Sequence, residues 1–347
     1  MNEVPMMSCP APGSDYDRIV LAHGAGGRVM QRLIAELFVA AFDSPELRRD
    51  HDGAVVDLRP PLAVTTDAFT VTPRFFPGGD IGSLAVYGTV NDVAMCGARP
   101  AALTAAFILE EGLPLAELRQ IVASMAAAAR RCGVRIVAGD TKVVARGQGD
   151  GVYVVTTGLG TVVAAGPIEP ASVRVGDAVL VSGPVGDHGV AVLAAREGIE
   201  IETGLQSDAG PVHEAVLALL TGGIDVACLR DPTRGGLASA LGEVAQRGGH
   251  GVRIDGAKVP VRDEVADVCE LLGLDPLRVA CEGRFVAWVP AAQAEQAAAI
   301  LRAHGCEEAA VIGEIVEAHP GVVILRDEAG GERILDMIAG EQLPRIC

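Results

Sequence analysis

A cysteine, Cys347, closes the chain on the short run Leu343-Pro344-Arg345-Ile346-Cys347. Chain ends are usually the least tied-down backbone, so a thiol there can swing into a pocket or out to a partner. Pro344 cannot continue a helix and keeps the run extended. The neighbouring carboxylate raises the thiol pKa and Arg345 lowers it, which leaves the thiolate fraction open. Four aspartates of the first half offer complementary chemistry. Asp67, Asp80, Asp92 and Asp140 each stand at the end of an apolar strand, beside glycine, or beside a second polar residue in an otherwise apolar helix. Half-buried carboxylates are costly unless something positive compensates them, and Mg²⁺ held by oxygen does so. Four such positions in one half suggest a metal–nucleotide site, although any one of them suits a helix cap or a turn equally well.

Asp140-Thr141-Lys142 adds a hydroxyl and an ammonium, the residue types expected around a triphosphate. His23-Gly24-Ala25-Gly26-Gly27 opens a helical repeat and can offer free backbone N–H groups to an anion, or simply form a tight turn. In the second half, Asp231-Pro232-Thr233-Arg234-Gly235-Gly236 sets an acid, an arginine and two permissive glycines at a helix start, where an anion can be clamped or an ordinary Asp-Pro turn made. Glu282 precedes a strongly apolar strand, where desolvation raises a carboxyl toward the range of a useful base. No glycine run completes a Walker A loop or a dinucleotide fingerprint, which disfavours a P-loop ATPase and a Rossmann dehydrogenase.

The elements that must position these residues follow from periodicity. Strands are expected at Ile19 to Ala22, Leu62 to Thr66, Ala101 to Leu109, Arg135 to Ala138 and Val152 to Thr157. Helices are expected from Val29 to Ala41, Ile81 to Cys96 and Leu115 to Arg131. The Pro/Gly-rich stretch from Gly166 to Gly176 reads as a domain boundary. Beyond it, strands near Val179, Val226, Val252, Phe285, Ala310 and Val322 alternate with helices near Gly189, Val212, Leu237, Arg262 and Ala291. Neither half keeps a regular βαβ beat, which favours two α+β domains over one doubly wound sheet. The organisation expected is a flexible leader over 1–17, domains over 18–166 and 167–335, and a mobile tail over 336–347 ending in Cys347.

Composition bounds the setting. With 347 residues and 50% hydrophobic residues, two ordinary cores can form; at 3% aromatic they are aliphatic. A formal net charge of -17 argues against a nucleic-acid partner. No apolar run reaches membrane-spanning length and the start lacks a basic apolar signal peptide, so no membrane association and a cytoplasmic location are expected. The 8 cysteines show no Cys-x-x-Cys pair. Lys142 and Lys258 are the two lysines among 28 basic residues, and a compact ammonium suits a phosphate.

Together, His23 to Gly27, Thr65-Thr66-Asp67, Phe76 to Gly82, Gly88 to Ala94, Gly139 to Val144, Asp231 to Gly236 and Pro344 to Cys347 closely resemble the HypE family of hydrogenase maturation proteins, in order over nearly the whole chain. Several of these motifs are shared with the wider PurM-like superfamily of aminoimidazole ribonucleotide synthetase, selenophosphate synthetase and thiamine-phosphate kinase. The Pro-Arg-Ile-Cys ending is specific to HypE. The leader is longer than the family pattern, and Cys281 stands where asparagine is expected.

The resemblance implies a two-domain PurM-like α+β fold, with a homodimer pairing through its N-terminal sheets and binding Mg-ATP near that interface. It implies a HypF-like carbamoyltransferase that loads the C-terminal cysteine, ATP-driven dehydration of the carbamoyl group to a thiocyanate, and delivery of cyanide to iron on a HypC–HypD-like scaffold. Residue by residue it assigns Asp67, Asp92 and Asp140 to the metal, and His23, Gly24, Gly26, Gly27, Asp80, Asn91, Thr141, Asp231 and Arg234 to the nucleotide. Cys347, Lys142 and Glu282 fall to the reaction. Two other readings stay open: a small-molecule synthetase or kinase of the same superfamily, and a non-catalytic metal-carrying scaffold using the terminal thiol.

Overall fold

Alternating burial along the first-half strands gives one sheet face to helices and leaves the other bare. The computed structural model describes residues 16–25, 27–49, 53–199, 204–327, 329–337, 343 and 345–347, so that Gly26, Pro344 and nearly all of the leader lie outside the described residues. In chain order the first half contains α1 (Arg28–Leu33), which runs through a π-helical segment (Ile34–Val39) into α2 (Ala40–Phe42). Then come β1 (Leu62–Phe69), β2 (Phe75–Phe76), β3 (Gly79–Asp80), α3 (Ile81–Met95), β4 (Ala98–Glu110), α4 (Leu115–Arg131), β5 (Arg135–Val144) and β6 (Val152–Val162). Four strands form a sheet in the order β1-β6-β4-β5, with only β4 and β5 parallel.

Helices α3 and α4 pack Leu84, Val90, Leu118, Ile121 and Met125 against Phe69, Leu103 and Phe107 of this sheet. On the opposite face Leu62, Val64 and Ile108 are exposed, and Val64 stands opposite Leu159. Such an apolar sheet face is unusual to leave in water.

The structure corrects two expectations. Ile19 to Ala22 is not a strand: the Ile19 N–H and C=O bond to Leu113 and Gly112 beyond β4, while Val20 and His23 close a 3-10 turn at Leu21–Gly24. The strand read as ending at Ala138 runs on to Val144, because parallel pairing with β4 continues from Ala102–Arg135 to Glu110–Val144.

The second half contains β7 (Asp177–Val181), α5 (Asp187–Glu197), α6 (His213–Thr221), β8 (Cys228–Arg230), α7 (Gly236–Gly248), β9 (Gly251–Asp255), α8 (Asp263–Leu272), β10 (Val286–Pro290), α9 (Ala294–Ala303), β11 (Ala310–Val316), β12 (Val323–Arg326) and β13 (Glu332–Ile334). Its seven-stranded sheet runs β13-β12-β9-β11-β7-β10-β8. Val179 and Val181 pack toward Leu237 and Leu241 of α7, whereas Ala178 and Leu180 pack toward Val216 of α6 and Leu301 of α9. Burial on both faces explains why β7 reads as an unbroken apolar run. Ala94 and Met95 of α3 join the α6–α9 cluster, so α3 is core to one half and wall to the other. No helix among the described residues is long and apolar enough to cross a membrane.

Candidate active site

The last residues hydrogen-bond along the segment that leaves β1, and the run is not extended throughout as expected, since Arg345 turns in the left-handed region at φ 55°. Thr70 N–H donates to the Cys347 carbonyl at 3.2 Å and Thr72 N–H to that of Arg345 at 3.1 Å, while Arg345 Nε returns a bond to Thr70 O at 3.0 Å. Ile346 is buried in the first-half core. From the second half, Arg196 of α5 donates to Thr72 O and Arg345 O, and His188 of α5 bonds Ile346 O at 2.9 Å. The tail thus joins both halves. Its thiol is half-buried, and burial pushes it up to about 12, with Glu282 and Asp67 raising it further and Arg234 opposing. A docked, unmodified Cys347 is therefore a neutral thiol.

Around that thiol the fold gathers acids. Asp67 projects from β1, Asp92 from the last turns of α3, Asp231 from the turn after β8, and Glu282 from the turn before β10. Thr65 Oγ1 donates to Asp92 Oδ2 at 2.9 Å. Burial, then the Asp92 charge, lifts Asp67 to about 6. Burial lifts Asp92 and Asp231 as well, and the Asp231 charge beside it raises Asp92 further. Glu282 is pushed far up by burial and by Asp231, Asp208, Asp67 and Asp92, and its Oε1 is buried without a partner among the described residues.

This excess of buried negative charge fits a divalent cation. Among the described residues no three His, Cys, Asp or Glu side chains converge into a ready-made metal cage. Mg²⁺ needs none, since it typically takes one or two carboxylates and completes its shell with waters and phosphate oxygens.

The remaining expected residues divide. Asp140, Thr141 and Lys142 sit on β5, with Lys142 Nζ 3.3 Å from Asp140 Oδ2. They occupy the sheet edge opposite β1, so one chain does not bring Asp140 to Asp67 and Asp92. Three strand spacings amount to roughly 14 Å. Thr141 and Asp140 instead line a cavity of about 100 Å³ with Phe38, Phe42 and Phe107. Gly24 packs on the same strand; a Cβ there would sit 2.8 Å from Val143 N. His23 is buried, lowered in pKa by that burial, and its Nδ1 accepts from Val20 N–H at 3.0 Å. Gly27 precedes α1 in extended backbone.

Asp80 is the N-cap of α3, accepting from Gly82 and Ser83 N–H. Asn91 is buried with its amide engaged by the backbone: it donates to Gly210 O at 2.9 Å and to Glu282 O at 3.3 Å and accepts from Val212 N–H. Asp80 and Asn91 thus both hydrogen-bond the backbone, Asp80 at the start of α3 and Asn91 across to the second half. Arg234, exposed at the start of α7, reaches the Cys347 thiol.

The sequence reading passed over Asp208, His188 and Arg284. Asp208 receives the N–H groups of Glu282 and Gly283 at 3.1 and 3.2 Å and so fixes the Glu282 turn, with Arg284 Nε 3.8 Å away. A side chain on Gly283 would collide with the Asp208 carbonyl. The polar Gln206-Ser207-Asp208-Ala209-Gly210 stretch was the available signal. Cys281 fills the place expected of asparagine by accepting from Gly186 N–H at 3.2 Å.

Comparison with known proteins agrees with this architecture. The family described as AIR synthase related protein, N-terminal domain, matches residues 50–162, and the corresponding C-terminal domain family matches residues 174–326. The carbamoyl dehydratase HypE of Cupriavidus necator is 52% identical over 333 residues, covering 95% of each chain. A crystal structure of the hydrogenase maturation protein HypE in complex with ATP superposes with a TM-score of 0.92 at 47% identity, covering 94% of this chain and 99% of that one. HypE in a crystallised HypE–HypF complex superposes with a TM-score of 0.78 at 44% identity, covering 88% and 99%.

Proposed function

Because the chain belongs to the family of HypE carbamoyl dehydratases, we propose that it dehydrates a carbamoyl group carried on its own Cys347 to a thiocyanate, using ATP, in the cytoplasm. The product supplies cyanide ligands for the iron of a nickel–iron hydrogenase. The observation that carries this reading is the terminal thiol docked beside Glu282 and Arg234 at a cluster of charge-starved carboxyls.

The carbamoyl group, S–C(=O)–NH₂, has a poor leaving oxygen. Transfer of the γ-phosphoryl group to that oxygen, with ADP leaving, gives an imidate phosphate; C–O cleavage then expels phosphate and leaves S–C≡N. Both amide protons must go. Glu282, buried on a turn that Asp208 fixes through the Glu282 N–H, takes one of them as base, and the departing phosphate carries off the other. Arg234 faces the adduct and offsets charge gathering on its oxygen. The tail pairing at Thr70 and Thr72 makes the reaction intramolecular, and such alignment is worth roughly 7 kcal/mol or more. Mg²⁺, held with the nucleotide by Asp67 and Asp92, would neutralise phosphate charge; Asp231 stands beside them.

Asp140, Thr141 and Lys142 reach that site from a second copy. The edge strands β1 and β5 and the apolar face with Leu62, Val64 and Ile108 support a two-fold dimer in which the β5 edge of one chain meets the β1 edge of the other. Lys142 then brings its ammonium to the phosphates. After reaction the last residues must undock, since a buried thiocyanate cannot meet iron on a HypC–HypD-like partner; loading by a HypF-like transferase requires the same exposure.

Intact mass of the carbamoylated protein before and after Mg-ATP tests the reading. Loss of one water from the C-terminal peptide is expected. ATP consumption with the carbamoyl group retained overturns it, as does substrate-dependent turnover that survives removal of Cys347, the result a small-molecule kinase would give.

A further inference from the structure

His188 is fully buried on α5, 158 residues before the carbonyl it bonds, and no step of the dehydration uses it. Its Nε2 lies 2.9 Å from Ile346 O and its Nδ1 2.7 Å from Ser207 Oγ, with the Phe76 ring edge-on at 5.4 Å. A carbonyl oxygen only accepts, so Nε2 carries the proton and donates. In the neutral ring Nδ1 is then an acceptor, and the Ser207 hydroxyl donates to it. Ser207 is itself fixed: its Oγ accepts from Ala209 N–H at 3.0 Å and its N–H donates to Pro77 O at 2.8 Å. Burial lowers the His188 pKa, which agrees with a neutral ring.

We infer that His188, oriented by Ser207, is the positioning residue that sets the register of the docked tail and thereby holds the Cys347 thiol at Glu282 and Arg234. The bond is made to the peptide carbonyl that immediately precedes Cys347. Loss of that bond would let the last peptide unit rotate and carry the thiol away from Glu282 and Arg234. Thr70 and Thr72 pair with the oxygens of Cys347 and Arg345, and Arg196 adds a second donor to Arg345 O, whereas the carbonyl between them, Ile346 O, receives His188 Nε2. The inference rests on the reading of Cys347 as the reacting thiol.

The test is the alkylation rate of Cys347 in the full-length protein, read on its C-terminal peptide, with the buried Cys132 and Cys228 followed in parallel as reporters of general unfolding. His188→Leu leaves the Ile346 carbonyl without its donor and should raise the Cys347 rate by about tenfold while Cys132 and Cys228 stay slow. His188→Gln restores a donor at similar reach and should return the rate to within about twofold of wild type. Should His188→Leu fail to fold, Ser207→Ala carries the test by releasing the ring, with a smaller rise at Cys347 alone. An unchanged Cys347 rate in the variant that folds, a glutamine variant as reactive as the leucine one, or a parallel rise at all three cysteines overturns the inference. Alkylation needs neither a carbamoyl donor nor ATP, so failure of this positioning role and failure of the dehydratase reading are told apart.

Discussion

Glu282 is an acid placed among acids, its pKa raised by burial and by Asp231, Asp208, Asp67 and Asp92, with one oxygen left without a partner among the described residues. Glu282→Gln keeps the shape and removes the proton acceptor. Carbamoylation of Cys347 should proceed normally in this variant while single-turnover nitrile formation falls by about 10²- to 10⁴-fold. Residual activity near wild type would remove Glu282 from the chemistry. At this scale the sequence was readable where a local rule applied. Glu282 was visible because a polar residue opens an apolar strand, and Asp80 because aspartate followed by a helix is an N-cap. What the sequence did not reveal at Asp80 and Asn91, both assigned to the nucleotide, is that their side chains hydrogen-bond the backbone. Asp208 and His188 escaped notice because their partners, the Glu282 turn and the Ile346 carbonyl, are remote in the chain.

Among the elements, the four-stranded sheet has two faces of different character, and only one is covered by α3 and α4. Val64, 61% exposed on β1, lies at the centre of the proposed pairing surface. Val64→Glu should shift the protein to a monomer in sedimentation while the isolated chain keeps its far-UV circular dichroism, because the residue is not part of a packed core. Phosphoryl transfer should be lost with the dimer. Strand existence was legible from alternation, yet the extent of β5 was not: glycine and aspartate at Gly139 and Asp140 look like a turn, and only pairing with β4 keeps them extended. That single extension carries Asp140, Thr141 and Lys142 along an edge strand, at the opposite margin of the sheet from Asp67. In the second half, core runs such as β7 announced themselves, whereas β13 is short and exposed and had no pattern to read.

For the whole molecule, the acidic cluster couples stability to pH and to metal nucleotide. Asp67, raised to about 6, contributes stability that is complete below its unfolded pKa near 3.8 and lost as pH rises through about 6. Thermal unfolding of Asp67→Asn against wild type isolates this contribution from the buried histidines. Near pH 4 the two should unfold alike; at pH 8 the variant should be more stable by about 1–2 kcal/mol, allowing for solvent screening. Mg-ATP should narrow that gap by stabilising only the wild type. A constant difference across pH would mean that Asp67 is not under electrostatic strain. Two α+β domains were legible from the irregular alternation of strands and helices, but the charge repulsion that a ligand must relieve arises only when β1, α3, β8 and the turn before β10 converge.

The separation of Asp67 and Lys142 onto opposite margins of one sheet has a genetic corollary. If each reaction centre borrows its lysine from the neighbouring protomer, two crippled proteins can rescue one another. Co-refolding equal amounts of Asp67→Asn and Lys142→Ala chains, each inert alone, would yield mixed assemblies with one intact centre and one doubly damaged one, restoring about a quarter of normal turnover. Centres complete within a single polypeptide would give no such complementation.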